Sequence, residues 1–266
     1  MEPNHDFRDA ESRKLFTEMI RKILIASHKS GEGHIPSALS IIDILYCVHF
    51  VLPEASSWRQ GQDFEFLLSK GHASLALYAI LDQLGHIDSN WFENFCSPDS
   101  PFGGHPDSTK IPSVIASTGS LGHGLPLSVG RALGHKIRNS PKEVICLIGD
   151  GELNEGSNWE SLLLVENFHL EKLTVILDLN NSTSRSITVS NIRKKVEAFG
   201  FSVFEVNGHC IQEILDALTC KLDNGPRFII ANTIKGYRVK SMESRFEWHH
   251  KSPSAQELDE LIKEIS

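Results

Sequence analysis

The sequence predicts an α/β fold in three layers, a mostly parallel sheet with helices on both faces. Two observations carry this. From residue 125 onward, segments with helical periodicity alternate with short apolar runs, the pattern of strand–helix–strand crossovers. The runs at 144–148 and 173–179 are apolar almost throughout, and each stops at a polar turn cluster. In order, the spacing of apolar residues predicts helices over 8–29 and 37–50. The aromatic and aliphatic run 64–68 is a candidate strand, with a helix over 72–84 after it. Residues 113–117, with Val114 and Ile115 at their centre, form the next candidate strand. A helix over 125–139, the strand 144–148, a helix over 155–168 and the strand 173–179 follow. A helix over 190–199, a strand over 201–206, a helix over 211–222 and a strand over 228–233 complete the alternation. Ser252-Pro253 leads into a last short helix over 255–265. No internal repeat or low-complexity linker interrupts the chain, so residues 1–266 are expected to form a single domain. The stretch 86–124 is long for a connection inside a compact domain, and such loops are commonly functional.

Composition narrows the function classes. The chain is 40% hydrophobic and 23% charged, as globular proteins are. A formal net charge of −8 and the lack of a basic block argue against nucleic acid as a partner. The five cysteines are scattered and form no C-x-x-C, which indicates neither a disulfide framework nor a zinc ribbon. The polar start, Met1 to Asp6, is followed by no secretory apolar region, and no stretch approaches a membrane span. A reducing cytoplasm is the expected compartment.

The most informative interval runs from Asp150 to Asn180. It holds Gly149-Asp150-Gly151 and Glu155-Gly156, and it closes on Asn180-Asn181. Both oxygen-bearing side chains lie just past the ends of candidate strands, the edge at which open α/β sheets bind ligands. One carboxylate and one amide oxygen suit Mg²⁺, which takes its remaining oxygens from water and substrate phosphates. The flanking glycines let a phosphate approach the backbone, and the helix that follows favours an anion at its N-terminus. Ordinary turn chemistry would also place these residues after a strand.

Gly-His pairs recur along the chain, among them those ending in His34, His72, His105, His123, His135 and His209. Such a pair can aim an imidazole out of a loop for proton transfer or hydrogen bonding. His135 falls in a helical run and His209 in a strand-to-helix turn, so both are read as structural. No H-E-x-x-H accompanies them.

Several motifs occur in a fixed order: Gly33-His34-Ile35-Pro36, Ser69-Lys70-Gly71-His72, Gly103-Gly104-His105-Pro106-Asp107, and Thr118-Gly119-Ser120-Leu121-Gly122-His123-Gly124. Gly149-Asp150-Gly151, Glu155-Gly156, Asp178-Leu179-Asn180, Lys235-Gly236 and Trp248-His249 follow. This series resembles the N-terminal half of transketolases, the domain that binds the diphosphate end of thiamine diphosphate, and the resemblance runs from about residue 15 to 260. It implies the thiamine diphosphate-binding fold. It also implies that Asp150, Asn180 and the backbone carbonyl of Ser182 ligate Mg²⁺. Gly119, Leu121, Gly122, Gly151, Glu152 and Asn180 would line or contact the cofactor. His34, His72, His105 and His249 would surround the thiazolium and the reacting carbons, with His72 and His249 also touching the diphosphate. Glu155 and Glu160, expected on neighbouring faces of one helix, match acids that link cofactor sites across a dimer. The implied reaction cleaves a ketose, or ketose phosphate, between C2 and C3 and passes the two-carbon ketol unit to an aldehyde or aldose.

Full-length transketolases carry a second domain for the aminopyrimidine, and nothing after residue 252 matches it. A split enzyme is therefore expected, with a second chain completing the site in an α2β2 assembly. Departures from the family pattern bear on the substrate. The loop Asn181-Ser182-Thr183-Ser184-Arg185-Ser186 is short, His123 stands where many relatives have Gln, His250 replaces a Gly, and Glu32 precedes Gly33-His34. Two alternatives stay open: another thiamine diphosphate reaction, such as acyloin formation or 2-keto acid decarboxylation in specialised sugar metabolism, and a non-catalytic structural half.

Overall fold

The computed structural model describes residues 10–55, 64–184, 187–222 and 225–266. Among the described residues, five strands form one parallel sheet: β1 (Phe64–Leu68), β2 (Glu143–Gly149), β3 (Leu173–Leu179), β4 (Ser202–Asn207) and β5 (Arg227–Asn232), in the order β1-β2-β3-β5-β4. The main helices are α1 (Ala10–Ser30), α2 (Ile35–Leu39), α3 (Ile42–Tyr46), α4 (Ser74–Gln83), α5 (Gly124–Ile137), α6 (Gly156–Asn167), α7 (Ile192–Glu197), α8 (Ile211–Thr219) and α9 (Ala255–Ile265).

Strand alternation divides the interior in two. Ile145, Leu147, Ile176 and Ile229 pack on one face with α1 to α4 and α8. Val144, Cys146, Ile148, Val175, Leu177 and Ile230 pack on the other with α5 and α6. Successive strand residues point to opposite faces, so one apolar run feeds both cores. Burying such side chains stabilises the fold by roughly 1.5–3 kcal/mol each. The register then fixes the site: Gly149 pairs with Asp178, Asp178 with Ala231, and Leu68 with Leu147. Residues just past these ends, Lys70, Asp150, Asn180 and Thr233, emerge side by side at one edge.

Two predicted elements differ. Residues 113–117 form no strand. They follow Pro112, which has no N–H to give a ladder, and Val114 is buried without pairing to β1. The predicted helix 37–50 is instead α2, α3 and a π-helical turn over Cys47–Val51. The break falls at Ser40, whose hydroxyl lies 2.8 Å from Asp178 Oδ2 and 3.0 Å from its own helix at Ser37 O. Side-chain bonds of this kind compete with helix continuation. The first two residues of the predicted 8–29 helix, and Arg185 and Ser186 of the short loop, lie outside the described residues.

Candidate active site

At the carboxyl edge of β1, β2 and β3 lies a cavity of about 370 Å³. Gly149, Asp150, Gly151, Asn180 and Ser182 line it together with His34, His72, His105, His249, Gly119 and Leu121. Segments far apart in sequence thus meet where the register of β2 and β3 puts them. Among the described residues, no helix is long and apolar enough to cross a membrane.

Asp150 is 5% exposed, and its two oxygens differ. Ser182 Oγ donates to Oδ1. Oδ2 is buried with no hydrogen-bond partner. A buried carboxylate oxygen left this way costs roughly 1–3 kcal/mol or more, so its presence points to a cation or donor. Asn180 sits beside it: Ser182 N donates to Asn180 Oδ1 (3.0 Å), and Asn180 Nδ2 donates to Asp178 Oδ2 (2.8 Å). Among the described residues, no three His, Cys, Asp or Glu side chains converge as a metal cluster. The donor set is one carboxylate, one amide oxygen and backbone, which suits a hard cation sharing a phosphate. At Gly151 an added Cβ would meet only Thr183 Cγ2 at 3.9 Å, so the backbone there is open to a ligand.

A second part of the lining is made of imidazoles. The His34 ring centroid is 5.2 Å from that of His72, 6.0 Å from His249 and 4.4 Å from His250. Burial, followed by repulsion from His250 and His249, lowers the His34 pKa to about 4. Burial, with Lys70 next, lowers His72 to about 2. Burial also lowers His105 and His249. All four are therefore neutral near pH 7 and able both to donate and to accept. Lys235 Nζ donates to His249 Nδ1 (2.8 Å), which leaves the His249 proton on Nε2. Burial, with Lys70 next, lowers Lys235 to about 8.

Four expected site residues do not present themselves to the cavity as anticipated. Glu152 borders it, but its carboxylate is engaged within the protein: Ser69 Oγ (2.6 Å) and Gly122 N (3.0 Å) donate to Oε1, and Gly149 N (3.0 Å) donates to Oε2. Glu152 therefore ties three loops together rather than offering oxygen to a ligand. The same bond occupies the Gly122 N–H. Gly122 has φ +77°, and an added Cβ would come within 2.5 Å of Glu155 Cβ, so its glycine serves a tight crossing. Glu155 precedes α6 in an extended conformation, and Glu160 is inside the helix; both are exposed and outside the cavity. Close packing of Ser69-Lys70-Gly71 against the 118–124 loop explains a further glycine: a Cβ on Gly124 would meet Ser69 Oγ at 2.4 Å.

Ser37, Lys70, Thr183 and Lys235 also line the cavity, and the sequence pattern alone assigns them no role. Lysines inside motifs at strand ends were the available signal for Lys70 and Lys235. His209 and His135 are structural: His209 bonds Asp43 (2.8 Å) and Ile234 N (2.8 Å), and His135 is buried with its Nε2 3.1 Å from Glu65.

Residues 12–265 match the family model described as "Transketolase, thiamine diphosphate binding domain". The chain is 36% identical over 254 residues to one of the subunits of the apulose-4-phosphate transketolase of Actinobacillus succinogenes, covering 92% of each. It is 32% identical over 248 residues to the transketolase of Homo sapiens, covering 90% of this chain and 40% of that one. The crystal structure of transketolase from Campylobacter jejuni superposes with a TM-score of 0.82 at 28% identity, over 97% of this chain and 42% of that chain. The chain thus spans about two fifths of the solved transketolase and nearly all of the Actinobacillus relative.

Proposed function

Because the chain belongs to the transketolase family through its thiamine diphosphate binding domain, we propose that it is the cofactor-diphosphate subunit of a split transketolase. Its ketose donor is a sugar or sugar phosphate of the kind named for the Actinobacillus relative. The observation that carries this is the buried, unpartnered Asp150 Oδ2 beside Asn180 and Ser182, in one cavity with neutral imidazoles. Asp150, the Asn180 amide oxygen and the Ser182 carbonyl hold Mg²⁺, and the Gly151 N–H meets the diphosphate. The cofactor supplies the electron sink for cleaving a ketose between C2 and C3. The chain's residues bind, orient and move protons. His34, His72 and His105 donate to and accept from the reacting oxygens, for which their neutral state suits them. His249, set by Lys235, presents Nε2–H, and the Lys235 ammonium faces the diphosphate. Gly119 and Leu121 line the cofactor from the side.

The partner is a second chain carrying the aminopyrimidine domain, and α2β2 is the proposed stoichiometry. The Actinobacillus relative is itself named as one subunit of its enzyme, which supports a partner. Glu155, just before α6, and Glu160, exposed on α6, meet their counterparts across that assembly. The free cysteines, among them buried Cys47 and Cys146, fit a reducing cytoplasm. Residues 1–266 act as one domain. The test is two-carbon transfer by the chain with its partner, Mg²⁺ and thiamine diphosphate. A complex that binds cofactor yet turns over no ketose, or releases CO₂ from a keto acid instead, sinks this function.

A further inference from the structure

A buried ion pair lies directly behind the metal-binding edge and takes no part in the steps above. Lys70 is 1% exposed and Asp178 is 0% exposed. Every approach to the Asp178 carboxylate is a donor. Thr233 Oγ1 donates to Oδ1. Lys70 Nζ, Ser40 Oγ (2.8 Å) and Asn180 Nδ2 (2.8 Å) converge on Oδ2. Lys70 is held further by Ser37 O (3.1 Å) and Ser40 Oγ (3.4 Å). The network joins the ends of β1, β3 and β5 to α2.

Its chemistry decides which way Asn180 points. An asparagine amide has nearly the same shape when turned over, so its orientation depends on what each end bonds. An ionised carboxylate only accepts. The end of Asn180 against Asp178 must therefore be the NH₂, which also reaches Ser40 Oγ (3.3 Å). The oxygen is left on the far side, where Ser182 N donates to it and Ser182 Oγ in turn bonds Asp150. Turning the amide over would set its oxygen against a carboxylate and its NH₂ against the Ser182 N–H, two repulsive contacts in a half-buried place. Burying a carboxylate for this purpose requires a counter-charge, which Lys70 supplies.

We propose that Asp178 is a positioning residue that locks the Asn180 amide with its oxygen toward the divalent cation, Lys70 being its counter-charge. This rests on the Mg²⁺ reading above. Such outer contacts to a metal ligand typically change metal affinity by about 10–100-fold.

The experiment measures thiamine diphosphate binding to the chain assembled with its partner, by calorimetry across a series of MgCl₂ concentrations. In D178N the new amide can donate or accept, so Asn180 loses its bias. The expected result is a rise of roughly 10–100-fold in the Mg²⁺ needed for half-saturation, with cofactor affinity returning toward wild type at saturating Mg²⁺. The exchange variant D178N/N180D keeps the summed charge, and either oxygen of its new carboxylate can face the cation. It should recover most of the wild-type Mg²⁺ dependence. S40A leaves the ion pair intact and should shift the half-saturation the same way by a smaller factor; it also decides the matter if D178N does not fold. An unchanged Mg²⁺ dependence in these variants overturns the proposal, as does a loss of cofactor affinity that is equal at every Mg²⁺ concentration. Wild-type binding that ignores Mg²⁺ overturns the metal reading itself, and this inference with it.

Discussion

The two walls of the cavity are built on opposite plans. The Asp150–Asn180 wall stands on strand ends whose register places Gly149 beside Asp178. Its side chains are fixed by directed bonds through Ser182, Asp178 and Lys70. The imidazole wall comes from loops and short helical turns, with His34 in ring contact with His72, His249 and His250. The first wall is preorganised by these bonds, with one Asp150 oxygen left unpartnered. The second offers neutral rings that can take or give a proton, with His249 held by Lys235. The difference teaches that one site can be held by two means: directed hydrogen bonds on the strand-end side, and burial and ring packing, with the Lys235–His249 bond, on the imidazole side.

That contrast can be broken experimentally. The largest effect is expected from D150A, which removes the unpartnered carboxylate. Cofactor binding and turnover of the assembled enzyme should fall by at least about 100-fold, beyond the range for outer contacts. The thermal midpoint of the cofactor-free chain should hold or rise, because an uncompensated buried oxygen has gone. A large drop in that midpoint would mean Asp150 is a structural group.

Next is E152A. Glu152 accepts from Gly122 N, Gly149 N and Ser69 Oγ, so truncation strands buried donors at roughly 1–3 kcal/mol apiece. Denaturant unfolding should show a loss of several kcal/mol, with E152Q losing less because an amide oxygen still accepts on one side. G124A is the sharper probe of loop packing, since its Cβ would meet Ser69 at 2.4 Å. Overpacking of this kind costs about 1–3 kcal/mol, read by the same unfolding curve.

K235M tests the other wall. Lys235 has a pKa lowered to about 8, chiefly by burial. It is charged below that pH and neutral above it, and only the charged form attracts a diphosphate. Affinity for thiamine diphosphate should therefore decline as pH rises through about 8. In K235M the affinity should be weaker by about 10-fold, equivalent to ~1.4 kcal/mol, and that pH dependence should flatten. A pH profile identical to wild type would remove Lys235 from the diphosphate site. The smallest effect is E160A: an exposed helix residue should change the stability of the chain by less than about 0.5 kcal/mol. Analytical ultracentrifugation of the complex should instead show weakened assembly if Glu160 meets a partner acid.

The sequence made the anchor wall legible because its signal is local. A glycine–aspartate turn and an asparagine pair each follow an apolar run, and a parallel register does the rest. The sheet was legible for the same reason, apart from 113–117, where apolar residues bury Val114 without pairing. Bond direction was not legible. Glu152 looks like any acid near a phosphate loop until its oxygens are seen to serve Ser69, Gly122 and Gly149. The sequence pattern puts Glu155 on a helix, yet α6 begins one residue later. Lys70 lies in the Ser69-Lys70-Gly71-His72 motif, but its burial and its pairing with Asp178 depend on contacts 108 residues apart. The break of the predicted 37–50 helix has the same origin, a serine hydroxyl drawn to Asp178.

The most direct test of the whole account is two-carbon transfer by the chain together with its partner, measured with and without Mg²⁺ and thiamine diphosphate and compared with D150A. The account predicts ketol transfer from a ketose to an aldehyde that needs both additions and the partner, and that D150A abolishes at low Mg²⁺. Transfer that persists undiminished in D150A, or without Mg²⁺, would contradict it.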